Sequence, residues 1–368
     1  MRRISAAGRR AECRAYQFWD GFDHYNSSSE LWDSVGGSVS YSSLYSRFAA
    51  PTGLLGQGMK CAGTGGYKIK SLLSNQATVI FGFAFYLASA PSTGGYGGGG
   101  LMNFYQGGTI QASLWITSSL ELQLYRGYFT SSILLATSAP GVLTVGSWHW
   151  LDLEITISTT GGAINAYLDQ PAGGTAFLSA SGFNSANTGN DWMDQFWLGD
   201  INSQFGGLLV DDFHCNDTTG GVLNTVLGDS RIYTKKPNAA GYQTLWAPNG
   251  ASANYQCVDD SVPDDDSTYV ASNTAGQIDG YDVPPAGFSA APNGLVRRSY
   301  IRKDDASSHT FQNGIRSGSA NALGIAVAVP SSYGWTDGGT AYVDDPATSS
   351  PFTAAAADAV ELIIDETS

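Results

Sequence analysis

The stretch FWDGFDHY, residues 18–25, concentrates aromatic rings and two aspartates around a single glycine near the start of the chain. Successive side chains of an extended strand point to opposite sides. Phe18, Asp20 and Phe22 would therefore face one way, and Trp19 and Asp23 the other. The alternation predicts a β-strand with an aromatic, core-facing side, and it leaves the aspartates to serve a binding site, a metal site or the strand ends.

A second stretch of similar chemistry, LLVDDFHCND, occupies residues 208–217. Each stretch carries apolar residues, carboxylates and a histidine, His24 in the first and His214 in the second. A β-sandwich often pairs its first and last strands, so that both ends of the chain are sealed into one sheet. We therefore expect these two stretches to be neighbouring strands.

The composition indicates an all-β protein with more than one core. The chain has 368 residues, which exceeds the usual size of a single core. Charged residues make up only 14%, against about 25% in an average domain. Glycine is abundant, at 46 residues, and separates short alternating runs, a pattern typical of strands joined by turns.

The charge distribution argues against nucleic acid as a partner, because the net charge is −14 and the isoelectric point is about 4.5. An exception is a basic N-terminal arm, residues 1–15, which holds five of the 18 lysines and arginines. It is either a flexible tail or an arm that docks into a larger acidic assembly.

No apolar stretch follows its arginines, so a signal peptide is not expected. No run reaches the ~18 apolar residues that cross a bilayer, so no membrane partner is expected.

Alternating runs predict strands throughout residues 16–236, and the clearest hairpin joins SWHWLDLEITIS (147–158) to AINAYLDQ (163–170) through TTGG. The pattern breaks at KKPNAAG (235–241), where we place a domain boundary. Residues 237–368 contain shorter runs and end in an alanine-rich helical turn followed by a last strand, which predicts a second, smaller β-sandwich. The cysteines, Cys13, Cys61, Cys215 and Cys257, form no CxxC pair and are expected to be free thiols.

In order along the chain, FWDGFDHY, GSWHWLDLEITIS, AYLD and QFWLGDI with GLLVDDFHCND resemble the concanavalin A-like, laminin-G-like jelly roll. More narrowly, these stretches, together with LGDSRIYTKKPN, NYQCVDDSVPDDDSTYVAS and DDPATSSPFTAAAADAVELII, resemble structural proteins of tailed bacteriophage virions. The resemblance covers most of residues 16–368, and the arginine-rich start departs from it. It implies a concanavalin A-like jelly-roll sandwich over residues 16–236.

Jelly-roll glucanases of this fold carry carboxylates at alternate positions of one strand, and retaining hydrolysis needs two carboxyls ~5–5.5 Å apart. The nearest counterpart here is LDLEI, in which Asp152 and Glu154 share a face. Their order is reversed and a third carboxylate is missing, so we interpret them as solvent-facing positions of a one-sided sheet. No GxSxG motif is present either. Enzymatic activity is not expected.

Calcium is the one cofactor that the sequence suggests, because concanavalin A-like domains often bind it. The candidate ligands are Asp20, Asp23, Asp211 and Asp212, which adjacent first and last strands could bring together. Calcium requires six to eight oxygen ligands. The alternative is that these aspartates accept backbone hydrogen bonds at strand ends. The acidic loop DDSVPDDD (259–266) does not have EF-hand spacing and is interpreted as a solvated charge run.

Aromatic residues among turn residues are the candidates for sugar binding, because rings exposed on loops can stack on sugars. They are Tyr96 in the glycine-rich loop, Trp192 in TGNDWMD and Trp335 in YGWTDGG. The alternative is that these rings are core anchors or contacts between subunits.

The resemblance implies a structural and adhesive component of a tailed bacteriophage virion, in head decoration, tail or fibre, that contacts host-surface glycans. Its other partners would be further virion proteins and copies of itself, with a trimer expected from virion symmetry. The alternatives are a carbohydrate-binding lectin without a virion and a glycan hydrolase.

Overall fold

The computed structural model describes residues 15–24, 31–92, 97–131, 133–336 and 338–368. Residues 1–14 of the predicted basic arm lie outside the described residues, as do Cys13 and Tyr96. The described chain forms two compact units. The N-terminal unit comprises residues 15–236 and 260–264, and the C-terminal unit comprises residues 237–259 and 265–368.

The N-terminal unit is built from antiparallel strands, with short 3-10 helices at Ser43–Tyr45 and Phe129–Ser131. Its strands are β1 (Tyr16–Asp20), β2 (Ser34–Ser42), β3 (Gly58–Gln76), β4 (Thr78–Leu87), β5 (Gly98–Gln106), β6 (Thr109–Thr117), β7 (Leu122–Arg126), β8 (Ile133–Thr137), β9 (Trp148–Thr156), β10 (Gly162–Leu168), β11 (Leu178–Phe183), β12 (Met193–Gly199) and β13 (Leu208–Asp217). The predicted hairpin is confirmed as β9 and β10, with Ala163 opposite Thr156.

These strands form one thirteen-stranded sheet in the order β11-β10-β9-β4-β13-β3-β12-β5-β6-β7-β8, with β1 paired to β13 and β2 to β3. The long strand β3 belongs to both layers of a sandwich, because residues 59–61 pair with β13 and residues 67–76 pair with β12. We call β11-β10-β9-β4-β13-β1 the first layer, and the C-terminal part of β3 with β12-β5-β6-β7-β8 the second layer. Phe81 of the first layer lies 5.0 Å from Phe196 of the second.

The opening stretch and its predicted partner are neighbouring antiparallel strands, as expected. In the pairing of β1 with β13, Phe18 lies opposite Cys215, Trp19 opposite His214 and Asp20 opposite Phe213. His24 lies beyond the end of β1 and is not part of this ladder. The side chains alternate as predicted, since Phe18 and Asp20 are buried and Trp19 is less so.

The core between the layers is an aromatic cluster centred on Phe213. The Phe213 ring lies 5.4 Å from both Trp32 and Phe196 and about 6 Å from three more rings, those of Phe18, Phe81 and Phe83. Phe213 itself is fully buried. Rings from β1, β4, β12 and β13 therefore share one packing site, which ties the first strand of the unit to its last.

The C-terminal unit is also all-β. Its strands are β14 (Ala239–Thr244), β15 (Ala247–Asn249), β16 (Tyr269–Ala271), β17 (Ile278–Asp282), β18 (Leu295–Val296), β19 (Ser299–Ile301), β20 (Thr310–Ser317), β21 (Ala320–Ala328), β22 (Gly334–Thr336), β23 (Ala341–Tyr342), β24 (Asp344–Asp345), β25 (Ser350–Pro351) and β26 (Glu361–Glu366). A 3-10 helix spans Asn254–Cys257, and the predicted helical turn before the last strand is α1 (Ala354–Asp358). No helix in the described residues is long and apolar enough to cross a bilayer. The predicted all-β class is confirmed.

The main sheet of this unit has five strands in the order β14-β17-β26-β20-β21. One of its faces presents Tyr281, Phe311, Ile315 and Ile364, all buried. Hydrophobic side chains from outside the sheet, among them Trp246, Val270, Leu295, Tyr342 and Phe352, pack against this face. Short two-stranded ribbons and α1 thus supply the second layer.

Arg297, in the C-terminal unit, is buried without a salt bridge among the described residues. It is 9% exposed, and its enclosed Nε makes no hydrogen bond. Burial lowers the pKa of its guanidinium to about 10. An enclosed charge without a counter-charge is destabilising. Arg297→Met should therefore raise the free energy of unfolding by about 1–3 kcal/mol in urea denaturation.

Arg316→Met is the matched control, because Arg316 lies near Glu361 at 3.5 Å and stacks over the ring of Tyr242. Removing these contacts should not stabilise the unit. A loss of stability in Arg297→Met would mean that the guanidinium contributes favourably where it lies.

Candidate functional site

The second layer carries a row of neutral polar and aromatic side chains on the side away from the core. Facing residues of paired antiparallel strands point to the same side of the sheet. Phe196 lies opposite Phe104 and both are core residues, so the alternate pairs, Gln195 with Tyr105 and Trp197 with Asn103, point outward. Continuing across the strands, we define the outer face as Tyr67, Gln195, Trp197, Asn103, Tyr105, Ser113, Trp115, Gln123 and Tyr125.

Three rings of the outer face form a stack across β3, β12 and β5. The ring of Trp197 lies between those of Tyr67 and Tyr105, with centroids 4.6 Å apart on each side and interplanar angles of 8° and 27°. Tyr67 fits only because residue 36 is glycine, since a Cβ there would lie 2.1 Å from Cζ of Tyr67. The stack fixes the rings and forms an aromatic wall, in which Tyr67 and Trp197 are half-buried and Tyr105 is 6% exposed.

Asn103 lies beside this wall, with its amide enclosed. The residue is 1% exposed, and neither its Nδ2 nor its Oδ1 makes a hydrogen bond within the described residues. The amide nevertheless lies close enough to the Tyr105 hydroxyl to lower its pKa, although burial outweighs this and raises that pKa to about 12. The indole Nε1 of Trp115, on the neighbouring strand, is also enclosed and without a hydrogen bond. Unpaired buried polar groups cost about 1–3 kcal/mol each, so they are uncommon without a purpose.

The segment around the second 3-10 helix, residues 127–131, covers this part of the outer face. Phe129 stacks on Trp115 at 3.8 Å and meets Tyr125 edge-on at 5.5 Å. The carbonyl oxygen of Gly127 accepts a 2.8 Å hydrogen bond from the Ser113 hydroxyl. Ser113 is therefore satisfied, whereas its cross-strand neighbour Asn103 is not.

Of the three residues predicted to bind sugar, the structure describes two, one in each unit. Tyr96 lies outside the described residues. Trp192 is half-buried, and its carbonyl oxygen accepts a hydrogen bond from Gln111 of β6. Trp335 belongs to the C-terminal unit, where its ring lies 5.3 Å from Tyr300, which in turn stacks on Tyr333.

The aspartates predicted to bind calcium separate into a core residue and a cluster. Asp20 is fully buried, and its two oxygens accept hydrogen bonds from the backbone N–H of Phe22 and from Nε1 of Trp32. The structure thus uses Asp20 to hold the chain after β1 and an aromatic core residue.

Asp23, Asp211 and Asp212 form the cluster, and each is nearly fully buried. Their oxygens accept backbone N–H groups from loops: Gln57 donates to Asp23, Arg47 to Asp211 and Ile232 to Asp212, all at 2.7–2.8 Å. Among the described atoms of these three carboxyl groups, only Oδ2 of Asp212 is enclosed without a hydrogen-bond partner. Among the described residues, no group of three or more acidic, histidine or cysteine side chains is arranged to hold a metal ion. This donor set, largely used by backbone N–H groups, does not fit the oxygen shell of calcium.

Burial and mutual repulsion raise the pKa values of this cluster. The pKa of Asp211 rises to about 6, chiefly by burial, and burial and the neighbouring Asp211 raise that of Asp212 well above its usual value. A carboxyl group whose pKa is raised by folding binds protons more strongly in the folded state. The stability of the N-terminal unit should therefore fall as pH rises from about 4 through 6 and beyond.

We expect Asp212→Asn to flatten this fall, because asparagine keeps the oxygen that accepts Ile232 N–H, removes the repelled charge and tolerates the positive φ of 54° at this position. Thermal unfolding from about pH 4 to pH 8 measures the slope. Asp229→Asn, which removes the partially exposed partner of Arg47, should leave the slope unchanged. Identical slopes in Asp212→Asn and the unmodified protein would contradict the interpretation.

The outer side of the first layer holds a buried polar chain that includes Asp152 and His214. Trp19 Nε1 donates to Asn216, whose amide lies 3.4 Å from Nδ1 of His214; Nε2 of His214 lies 3.7 Å from Asp152. Trp150 Nε1 donates to the other oxygen of Asp152.

The interpretation of Asp152 as solvent-facing is therefore wrong, because the residue is only 1% exposed. Glu154 instead accepts a hydrogen bond from Asn165. Gly82 makes room for the chain, since a Cβ there would lie 2.1 Å from Nε2 of His214.

The cysteines that the structure describes, Cys61, Cys215 and Cys257, are free and buried, in agreement with the expectation of free thiols. Burial raises the pKa of Cys61 to about 12, so it is protonated at neutral pH and unreactive.

No protein-family model and no curated protein matches the chain. Among solved structures, the chain is similar to the carbohydrate-binding module CBM66 from Bacillus subtilis, with 10% identity over 48% of this chain and 95% of that chain and a TM-score of 0.28. It is also similar to the CBM2 module of the evolved Dit of Lactobacillus casei BL23 phage J-1, with 15% identity, 41% and 69% coverage and a TM-score of 0.30. It is similar as well to lectin I-B4 from Griffonia simplicifolia, with 8% identity over 50% of this chain and 95% of that chain and a TM-score of 0.30.

Proposed function

We propose that this protein is a non-enzymatic adhesive subunit that binds glycans on the outer face of its second layer. The observation that carries the proposal is the enclosed amide of Asn103, which lacks hydrogen bonds beside the ring stack centred on Trp197. An amide offers two donors and an acceptor, which suits the hydroxyl groups of a sugar.

The aromatic wall supplies the second element of sugar recognition. Binding sites for small molecules combine apolar and aromatic lining with a few well-placed polar groups. The half-buried rings of Tyr67 and Trp197 would contact the apolar C–H surfaces of a sugar. Its hydroxyls would bond to Asn103 and Nε1 of Trp115 once the segment of residues 127–131, which covers this part of the outer face, is displaced. Because stacking already fixes the rings, little side-chain entropy would be lost on binding.

The chemistry of the outer face favours binding over hydrolysis. Glycoside hydrolysis normally requires a pair of carboxyl groups at the scissile bond. The residues that define the outer face include neither aspartate nor glutamate. In the first layer, Asp152 is 1% exposed and is enclosed by Trp150 and His214.

A glycan array, followed by calorimetry with the best oligosaccharide, tests the proposal. Trp197→Ala should weaken binding about tenfold or more, because a well-packed aromatic anchor typically contributes more than about 1.4 kcal/mol. Trp148→Ala is the matched control, since Trp148 is a half-buried tryptophan of the first layer that packs on Tyr86. No binding to any glycan, or equal losses in both variants, would overturn the proposal.

We further propose that this adhesive subunit is a component of a tailed bacteriophage virion. This proposal is supported by the order of FWDGFDHY, the β9–β10 hairpin and LLVDDFHCND along the chain, and by the resemblance of the later segments. In that setting the subunit would occur in many copies, as trimers, and would bring the particle to host-surface glycans.

Mass spectrometry of purified particles tests this assignment directly. Detection of the chain at a copy number divisible by three is expected. Absence from intact particles, with glycan binding preserved in the isolated protein, would favour the alternative of a lectin without a virion.

A further inference from the structure

From the outer face we infer that the ligand is an uncharged glycan and that the site discriminates against acidic sugars; this inference rests on the proposed glycan binding. Every side chain of the outer face is neutral at physiological pH. The groups left without hydrogen bonds, the amide of Asn103 and Nε1 of Trp115, are neutral as well.

The charged residues of the same strands are directed elsewhere. Lys68 and Lys70 pair in register with Leu198 and Phe196, on the side opposite the outer face. Arg126 of β7 pairs with Ala112, on that same opposite side. Nζ of Lys70 donates to the carbonyl oxygen of Leu31 and lies 3.1 Å from Asp33. The carboxylate of Asp194 accepts a hydrogen bond from the backbone N–H of Gly107. No cation is therefore placed among the described outer-face residues to pair with a sugar carboxylate or sulfate.

An ionised sugar would lose water at this face without gaining a counter-charge. Burying a charge that remains unpaired costs far more than burying a hydroxyl that finds a hydrogen bond. The net charge of −14 adds a general repulsion of anionic polymers, which salt screens beyond about 8 Å at physiological ionic strength. Both effects favour neutral hydroxyl-rich chains over uronates, sialylated glycans and sulfated glycans.

Because neither the outer face nor a neutral glycan carries a charge, the affinity between them should not depend on salt or on pH. Tyr105 has a pKa of about 12 and stays protonated across the physiological range. The affinity for a neutral glycan should change less than about twofold between roughly 50 and 500 mM NaCl, because no ion pair is screened.

The test compares polymers that differ only in charge: polygalacturonate with its fully methyl-esterified form, and sialylated with desialylated oligosaccharides. The neutral member of a recognised pair should bind at least tenfold more tightly. Gln123→Lys places a cation on the outer face and should shift binding toward the acidic member, with an affinity that falls as salt is added. Gln243→Lys, a substitution at an intermediate-exposure position of the C-terminal unit, is the control and should leave the preference unchanged.

The outcomes separate the two proposals. No binding of any glycan would remove glycan binding itself, and the inference with it. Binding that prefers the acidic member, or that does not distinguish the two, would overturn neutral specificity and leave glycan binding intact.

Discussion

Replacing Phe213 with alanine is expected to lower the free energy of unfolding of the N-terminal unit by about 3–5 kcal/mol. The fully buried ring packs against Trp32, Phe196 and Phe18, so its loss leaves a cavity that both layers border. Urea denaturation followed by tryptophan fluorescence measures the change, because Trp32 lies 5.4 Å from the ring.

Phe48→Ala is the control for this experiment, since Phe48 is 45% exposed. It should cost less than about 1 kcal/mol. A similarly small cost for Phe213→Ala would show that the layers do not meet around this ring, and the sandwich described here would be wrong.

Replacing Asn103 with leucine is expected to weaken glycan binding while stabilising the fold, a combination that a structural role would not produce. Leucine has a similar volume and removes two enclosed, unpaired polar atoms. Removing such atoms should raise the free energy of unfolding by about 1–3 kcal/mol. The affinity for the array-selected oligosaccharide should fall at least tenfold by calorimetry.

Asn165→Leu is the matched control for Asn103→Leu. Asn165 lies on β10 of the first layer, and its amide bonds both Glu154 and Ser179. The substitution should reduce stability and leave binding unchanged. Unchanged binding in Asn103→Leu would show that the enclosed amide does not contact the ligand.

Much of the fold could be predicted because its signals are local. The alternation in β1 and β13, and the Gly-Gly turn between β9 and β10, specify side-chain direction and chain reversal within a few residues. The length of strand β3 is not evident from the sequence, because glycines and serines interrupt its apolar alternation. The strand remains extended through pairing with β2, β12 and β13, which are distant in sequence.

The candidate site was harder to predict because it depends on what covers the sheet. Aromatic residues among turn residues indicate Tyr96, Trp192 and Trp335 as sugar-binding candidates, and Tyr96 lies outside the described residues. The structure instead brings Trp197 and Asn103 together from alternate positions of β12 and β5. Alternation in QFWLG (195–199) could have identified Trp197 as outward-facing. That Asn103 is enclosed depends on residues far away in sequence, which no local pattern reveals.

A crystal structure of the protein with the neutral oligosaccharide that binds best would show whether the outer face is the binding site. Sugar density is expected along the outer face of the second layer, with hydroxyl groups bonded to the amide of Asn103 and a sugar ring against the edge of Trp197. Density at another surface, such as the Tyr300, Tyr333 and Trp335 cluster of the C-terminal unit, with the amide of Asn103 still unpaired, would contradict this expectation.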